Sequence, residues 1–188
     1  MSLSLVSVLR QGGIAVIRTD TLLGIVARSF DRRAVRRLYA LRRKTPKKPF
    51  IILISSVEEL AAFGVKPNAA QLRFLKKVWP GKVSVILSVP PKKFRYLHRG
   101  TNSLAFRVPK LRSLRALLAR TGPLVAPSAN LEGEKPAETL VEAKRYFGKR
   151  VTLYVGARRR VRGKPSALVS LLGARPKVLR RNEVRLQV

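Results

Sequence analysis

Short apolar blocks recur along the chain and alternate with stretches of helical periodicity. Blocks that read as strands cover residues 14–17, 50–54, 83–87, 104–108, 124–127, 152–155, 167–171 and 177–180. Helical stripes lie between several of them. In 31–43, Ala34, Val35, Leu38 and Leu41 share one face, the arginines take the other, and Asp31 is placed to cap the first turn. Ser56 and Glu59 have the spacing of a capping box, and Gly64 marks a stop. Residues 68–78, 113–121 and 137–148 carry three further helical patterns. The order predicts an α/β fold, a sheet covered by helices and mixed rather than all parallel, because the last three strands follow one another closely. No internal repeat or low-complexity linker interrupts it. Residues 1–188 are read as a single domain, and 156–164 as its one mobile loop.

The apolar run Phe50–Ile54 is far too short to span a bilayer. The N-terminal segment lacks a basic leader and a small-residue cleavage site, and so reads as a helix of the fold. These features, with no membrane partner indicated, predict a cytoplasmic protein.

Charge and composition narrow the chemistry. Of 188 residues, 41 are Lys or Arg and 9 are Asp or Glu, a formal charge of +32. Such a charge attracts polyanions over long range and strains the compact state by self-repulsion. The 46% hydrophobic content nevertheless predicts a folded globule. There is no Cys, which excludes disulfides, thiolate nucleophiles and Cys-ligated zinc. Asp20 and Asp31 are the only aspartates and His98 the only histidine, which disfavours paired-carboxylate, two-metal and Ser-His-Asp chemistries. An enzyme of this composition would act by positioning and by positive electrostatics.

Neither common glycine-rich phosphate loop is present. Four polar inserts instead stand at strand ends: Arg18–Ile25, Arg42–Pro49, Pro127–Gly133 and Gly163–Leu171. Within them are Thr19-Asp20-Thr21 with Gly24; Arg42 and Lys44 followed by Lys48-Pro49; Ser128 and Asn130; and Pro165-Ser166. Trp79-Pro80-Gly81, Arg107 before Pro109, and Arg180 complete an ordered set. Taken singly, Thr19-Asp20-Thr21 is equally a turn in which Asp20 caps backbone amides, and Ser128 and Asn130 equally stabilise a turn. Trp79 reads as core packing, and His98 as a surface or loop residue.

As an ordered set over roughly 12–182, these stretches resemble the YrdC/TsaC family, the threonylcarbamoyl-adenylate synthases of tRNA modification. The resemblance implies a twisted mixed sheet with a basic concave cavity. It also implies condensation of L-threonine, bicarbonate and ATP to threonylcarbamoyl-AMP and pyrophosphate, with Mg²⁺ brought by ATP. Other proteins then pass the threonylcarbamoyl group to tRNA, at the adenosine next to the anticodon. By the same resemblance Arg42, Lys44 and Lys48 are catalytic. Thr21, Lys48 and Ser166 hold threonine, and Arg42, Lys44, Arg107, Ser128, Asn130 and Arg180 hold the nucleotide. Longer relatives carry a second, C-terminal domain, which this chain is too short to contain.

The chain departs from the family pattern in placing Arg42 before Lys44 where Lys-x-Arg is usual, and guanidinium and ammonium groups differ in how they bind phosphate. Arg18, Leu23, Glu132 and Ala167 stand where the family commonly has proline, an aromatic, serine and threonine. An RNA-binding or ribosome-maturation module of the same fold is the alternative reading, drawing on the basic surface for tRNA or another RNA. A carbamoyl-transfer role like that of hydrogenase-maturation proteins fits less well, since those are longer chains with zinc-finger cysteines.

Overall fold

The computed structural model describes residues 4–42, 49–156 and 160–184. Ser4 caps α1 (Leu5–Arg10) by accepting the Ser7 amide at 3.1 Å. Strands β1 (Ala15–Arg18) and β2 (Leu23–Arg28) form an antiparallel hairpin in which Arg18 pairs with Leu23. The sequence pattern missed β2, because the polar turn before it masks the start of its apolar run. Asp31 caps α2 (Arg32–Leu41) as expected, its Oδ1 accepting the Ala34 amide at 2.8 Å.

Strand β3 (Ile51–Leu53) is followed by Val57–Phe63, which is a 3-10 helix rather than an α-helix. The expected capping box does not form there. Ser56 makes no side-chain cap, and Glu59 reaches one residue further back to accept the Ser55 amide at 2.7 Å. The tighter winding of a 3-10 helix moves that carboxylate out of register with the cap. Gly64 does end the segment, at φ +71°. A full capping box between Asn68 and Gln71 opens α3 (Ala69–Val78). Next come β4 (Val83–Ser88), a four-residue helix α4 (Arg95–His98), β5 (Ser103–Arg107), α5 (Arg112–Thr121) and β6 (Leu124–Val125). The chain then forms α6 (Leu140–Phe147), β7 (Leu153–Val155), β8 (Ala167–Ser170) and β9 (Lys177–Arg180).

Among the described residues, nine strands join in one sheet of order β7-β1-β2-β6-β3-β5-β4-β8-β9. The pairs β1/β7, β3/β5 and β4/β8 are parallel and the remainder antiparallel, as the mixed α/β reading predicted. Alternate residues feed two separate cores, as the two-residue period of a strand requires. Ile14, Val16, Ile25, Ile52 and Phe106 join the larger one, with α2 and the aromatic group of Phe63. Ala15, Ile17, Val26 and Leu53 join the smaller one, under Leu9 of α1 and Leu114 and Leu118 of α5. Burial on both faces is why these strands read as continuous apolar runs.

The helices do not cover the smaller-core face completely. Ile51 pairs with Ala105, Ala105 with Ile86, and Leu168 with Arg180, which puts these residues on that face in the central and β9-side strands. Ile51, Ile86, Ala105 and Leu168 are only half-buried, between neighbours that are fully buried. They floor an open cavity. Near it, His98 corrects an expectation: it is buried, and its Nδ1 accepts the amides of Gly100 and Asn102 at 3.1 and 3.3 Å. The ring therefore shapes the turn into β5 instead of lying on the surface. Trp79 is buried as expected, its indole donating to the Val83 carbonyl at 2.7 Å.

Candidate functional site

The cavity has a volume of about 520 Å³. Its floor is Ile51, Ile86, Ala105 and Leu168, and its walls come from strand ends and turns. Three arginines line it, Arg42, Arg107 and Arg180, and no acidic side chain does so among the described residues. Gly24, Ala105 and Ala126 keep the space open where larger side chains would close it.

The β1–β2 turn builds one wall. Thr19 closes it: its hydroxyl donates to the Leu22 carbonyl at 2.6 Å and accepts the Thr21 and Leu22 amides at 3.2 and 3.1 Å. Thr21 lies 3.1 Å from it, hydroxyl to hydroxyl, and lines the cavity. Asp20 does not cap its own turn. Its Oδ2 accepts the Lys110 amide at 2.8 Å, and its Oδ1 lies 3.0 Å from Arg107 Nη1. Tertiary contact with the β5–α5 junction outcompetes the local cap that sequence alone suggested.

The segment after β6 builds a second wall. Ser128 bridges to Gly24 of β2, and its hydroxyl donates to Asn130 Oδ1 at 2.6 Å. The same oxygen accepts Arg42 Nη2 at 3.1 Å, while Arg42 Nε donates to the Asn130 carbonyl at 2.9 Å. The Asn130 amide donates to the carbonyls of Leu131 and Glu134 at 2.7 and 2.9 Å. Asn130 is thus saturated and stands behind the lining, whereas Ser128 and Arg42 reach the cavity. Arg42 also lies over the Phe50 ring, which stacks on Tyr39 at 3.9 Å.

The third wall is the approach to β8. Ser166 is buried, with its hydroxyl 2.8 Å from that of Ser84 on β4, and Arg180 Nε donates to the Ser166 carbonyl at 2.9 Å. Just before it, Gly163 presses so closely on the turn that a Cβ there would lie 2.0 Å from the Thr21 carbonyl oxygen. Val161 is buried and donates its amide to the Glu138 carbonyl at 2.7 Å. Arg160 approaches Glu138 and Glu142 at 3.4 and 3.6 Å. Residues 160–166 are therefore pinned across the site, contrary to the expectation of a mobile loop. Residues 157–159 lie outside the described residues.

Burial lowers the pKa of Arg42, Arg107 and Arg180 from the ordinary arginine value. Glu132 opposes this at Arg42; at Arg107, Asp20 opposes it while Arg180 adds to it. Arginine stays protonated regardless, so the shifts register positive charge that the cavity compensates only in part. Arg107 Nε and Nη1 are buried with no hydrogen-bond partner, Asp20 being near but out of alignment. The three arginines, with no acidic side chain on the described lining, suit an anion with several oxygens.

Six sequence-predicted residues therefore converge: Thr21, Arg42, Arg107, Ser128, Ser166 and Arg180 all line the cavity. Asn130 supports it from behind, and Lys44 and Lys48 lie outside the described residues. Sequence reasoning missed Ser84, Thr101, Ser103 and Gly163. Period-two alternation along β5 could have flagged Ser103 with Arg107; nothing local distinguishes the other three.

A model of the Sua5/YciO/YrdC family, described as telomere recombination, matches residues 7–182. A threonylcarbamoyl-AMP synthase of Chromohalobacter salexigens is 35% identical over 155 residues, covering 81% of this chain and 83% of that one. The crystal structure of Pyrococcus abyssi Sua5 complexed with L-threonine is similar in fold, with a TM-score of 0.83 and 25% identity. It matches 93% of this chain, which spans only 52% of the Sua5 chain. Escherichia coli YciO is 26% identical with a TM-score of 0.80, covering 93% of this chain and 85% of its own.

Proposed function

The chain belongs to the Sua5/YciO/YrdC family, and we propose that it is a threonylcarbamoyl-AMP synthase, a nucleotidyltransferase condensing L-threonine, bicarbonate and ATP. The observation that carries this reading is a 520 Å³ cavity lined by three arginines and several hydroxyls, with no acidic side chain on its described lining.

That composition suits the reaction. The threonine amine and bicarbonate give a carbamate and water. A carbamate oxygen then attacks the α-phosphorus of ATP, forming the mixed anhydride and releasing pyrophosphate. Nucleophile and electrophile are both anionic, so the principal obstacle is like-charge repulsion. Fixed guanidinium groups in a partly desolvated cavity reduce it and stabilise charge on the leaving pyrophosphate. Holding the reactants in line contributes further, about 7–11 kcal/mol in the most favourable intramolecular cases. The reaction needs no protein nucleophile, in keeping with a chain that lacks Cys.

In this reading Thr21 and Ser166, which both line the cavity, bind threonine together with Lys48. Arg42, Lys44, Arg107, Ser128 and Arg180 hold the nucleotide, with Asn130 fixing Arg42. The half-buried apolar floor accepts the base or ribose. Among the described residues no group of three His, Cys, Asp or Glu side chains is placed to hold a metal ion. In this reading magnesium arrives with ATP, held by phosphate oxygens. Residues 1–188 act as one unit. The implied partners are tRNA, or another RNA, and the proteins that complete the transfer. No helix among the described residues is long and apolar enough to cross a membrane, and a cytoplasmic location is part of this reading.

Release of pyrophosphate from ATP that requires both L-threonine and bicarbonate is the expected result. ATP turnover indifferent to threonine refutes the reading.

A further inference from the structure

Asp20 is the one carboxylate that touches a cavity arginine through an ion pair among the described residues. It comes from the β1–β2 turn, 87 positions before Arg107. Its side chain is 7% exposed and that of Arg107 5%, so water screens the pair little. Two restraints act on it at once: Oδ2 accepts the Lys110 amide at 2.8 Å, and Oδ1 stands 3.0 Å from Arg107 Nη1. Thr19 and Thr21, in the same turn, are tied together by the Thr19 hydroxyl. A single carboxylate therefore fixes the threonine wall of the cavity and the guanidinium opposite it.

The pairing is incomplete in a telling way. Arg107 Nε and Nη1 and Asp20 Oδ1 are all buried without a hydrogen-bond partner, because the contact is close but misaligned. Each buried unsatisfied polar group is costly, so this is not the arrangement that would stabilise the fold most. The same guanidinium lines the cavity together with a second arginine, Arg180, which adds to the positive charge around it.

We infer that Asp20 is a positioning residue for the proposed reaction: anchored on the Lys110 amide, it holds Arg107 by charge in the place from which the guanidinium serves an anionic group of the substrate, carboxylate or phosphate. The inference rests on the function proposed above. It carries an unusual signature, because Asp20 is itself negative. Its charge weakens ground-state anion binding by simple repulsion, while its geometry aids the reacting arrangement. Removing the charge should therefore tighten anion binding and slow turnover, opposite signs that a purely structural residue does not give.

The test compares the full-length parent, Asp20→Asn, Asp20→Glu, Arg107→Gln and the Asp20→Asn/Arg107→Gln double variant. Inorganic pyrophosphate is titrated calorimetrically as the binding probe, and threonine-dependent pyrophosphate release gives kcat and KM. Asp20→Asn, which keeps the acceptor for Lys110, should lower kcat roughly 10- to 100-fold, the scale of a displaced positioning group. It should bind pyrophosphate about threefold tighter or better. In the Arg107→Gln background the same substitution should change kcat less than about twofold, as expected when two residues act as a unit. Asp20→Glu, which keeps the charge, should recover most of the turnover, and it remains readable if Asp20→Asn does not fold. Equal losses from Asp20→Asn in both backgrounds, weaker pyrophosphate binding by it, or an Asp20→Glu variant as impaired as Asp20→Asn would each overturn the inference. Absence of threonine-dependent release by the parent would refute the proposed reaction instead, and the pyrophosphate titration would still decide the role of Asp20.

Discussion

Arg42 grips Asn130 twice, Nε on its main-chain carbonyl at 2.9 Å and Nη2 on its side-chain oxygen at 3.1 Å. The two residues lie 88 positions apart, and this pair fastens the end of α2 to the segment following β6. The planar guanidinium fork spans two acceptors that a single ammonium nitrogen cannot reach together. That gives a physical reason for arginine at position 42. Arg42→Lys should lower thermal stability by about 1–3 kcal/mol and reduce threonine-dependent pyrophosphate release at least tenfold. Differential scanning fluorimetry and the release assay check the two effects; parent-like values for both would show that the fork is dispensable.

Asn130 meets four partners: Ser128 and Arg42 as acceptor, the Leu131 and Glu134 carbonyls as donor. Asn130→Ala leaves these groups unpaired at a buried position, at a cost of about 2–4 kcal/mol. The urea midpoint should fall without a change in slope. Activity should fall with it, because Arg42 loses its side-chain anchor and keeps only the main-chain one.

Gly163 is confined by the Thr21 carbonyl oxygen, 2.0 Å from where a Cβ would sit. That atom is backbone of a tied turn and cannot swing aside. Gly163→Ala should push residues 160–166 away from Thr21 and raise KM for threonine roughly tenfold or more, as a misplaced binding wall does. The pinned segment is exposed at Arg162 and Lys164, so the melting temperature should change by only a few degrees. An unchanged KM would mean that this approach plays no part in binding.

Burial raises the Tyr39 pKa to about 12, against opposing effects from Arg99, a backbone hydrogen bond with Phe50, and Arg42. Because the folded state holds this proton more tightly than the unfolded state, the contribution is fully present below about pH 10 and is lost between about pH 10 and 12. The stability difference between the parent and Tyr39→Phe should therefore shrink by up to about 2 kcal/mol across that window. Urea titrations of both proteins at pH 9, 10, 11 and 12 measure it; a constant difference would contradict the shift.

Much of this molecule was legible in the order of its residues. Eight of the strands follow from apolar blocks, and in the central ones the reason is burial on both faces, which requires apolar residues throughout. The cap of α2 follows from Asp31 because a cap is a contact within one turn. What failed did so where a competing partner, near or far along the chain, took the group. Ser56 was denied its cap when Glu59 turned to Ser55, His98 was drawn inward by amides of its own loop, and Asp20 left its turn for Arg107 and Lys110.

The motif residues themselves divide in the same way. Sequence determined which chemistry is available: cations and hydroxyls, no thiol, and too few carboxylates and imidazoles for acid–base or metal sites. It also gathered the correct segments, since Thr21, Arg42, Arg107, Ser128, Ser166 and Arg180 do share one cavity. Only the tertiary structure decided the division of labour among them. Asn130 is spent on internal partners, Ser166 is backed by Ser84, and Arg107 is held by a carboxylate yet keeps buried donors unpaired. The reason is that hydrogen-bond capacity is finite and is consumed by whichever partners the fold brings within about 3 Å. A residue's type fixes how many bonds it can make, and its neighbours across the sheet fix how many remain for a substrate.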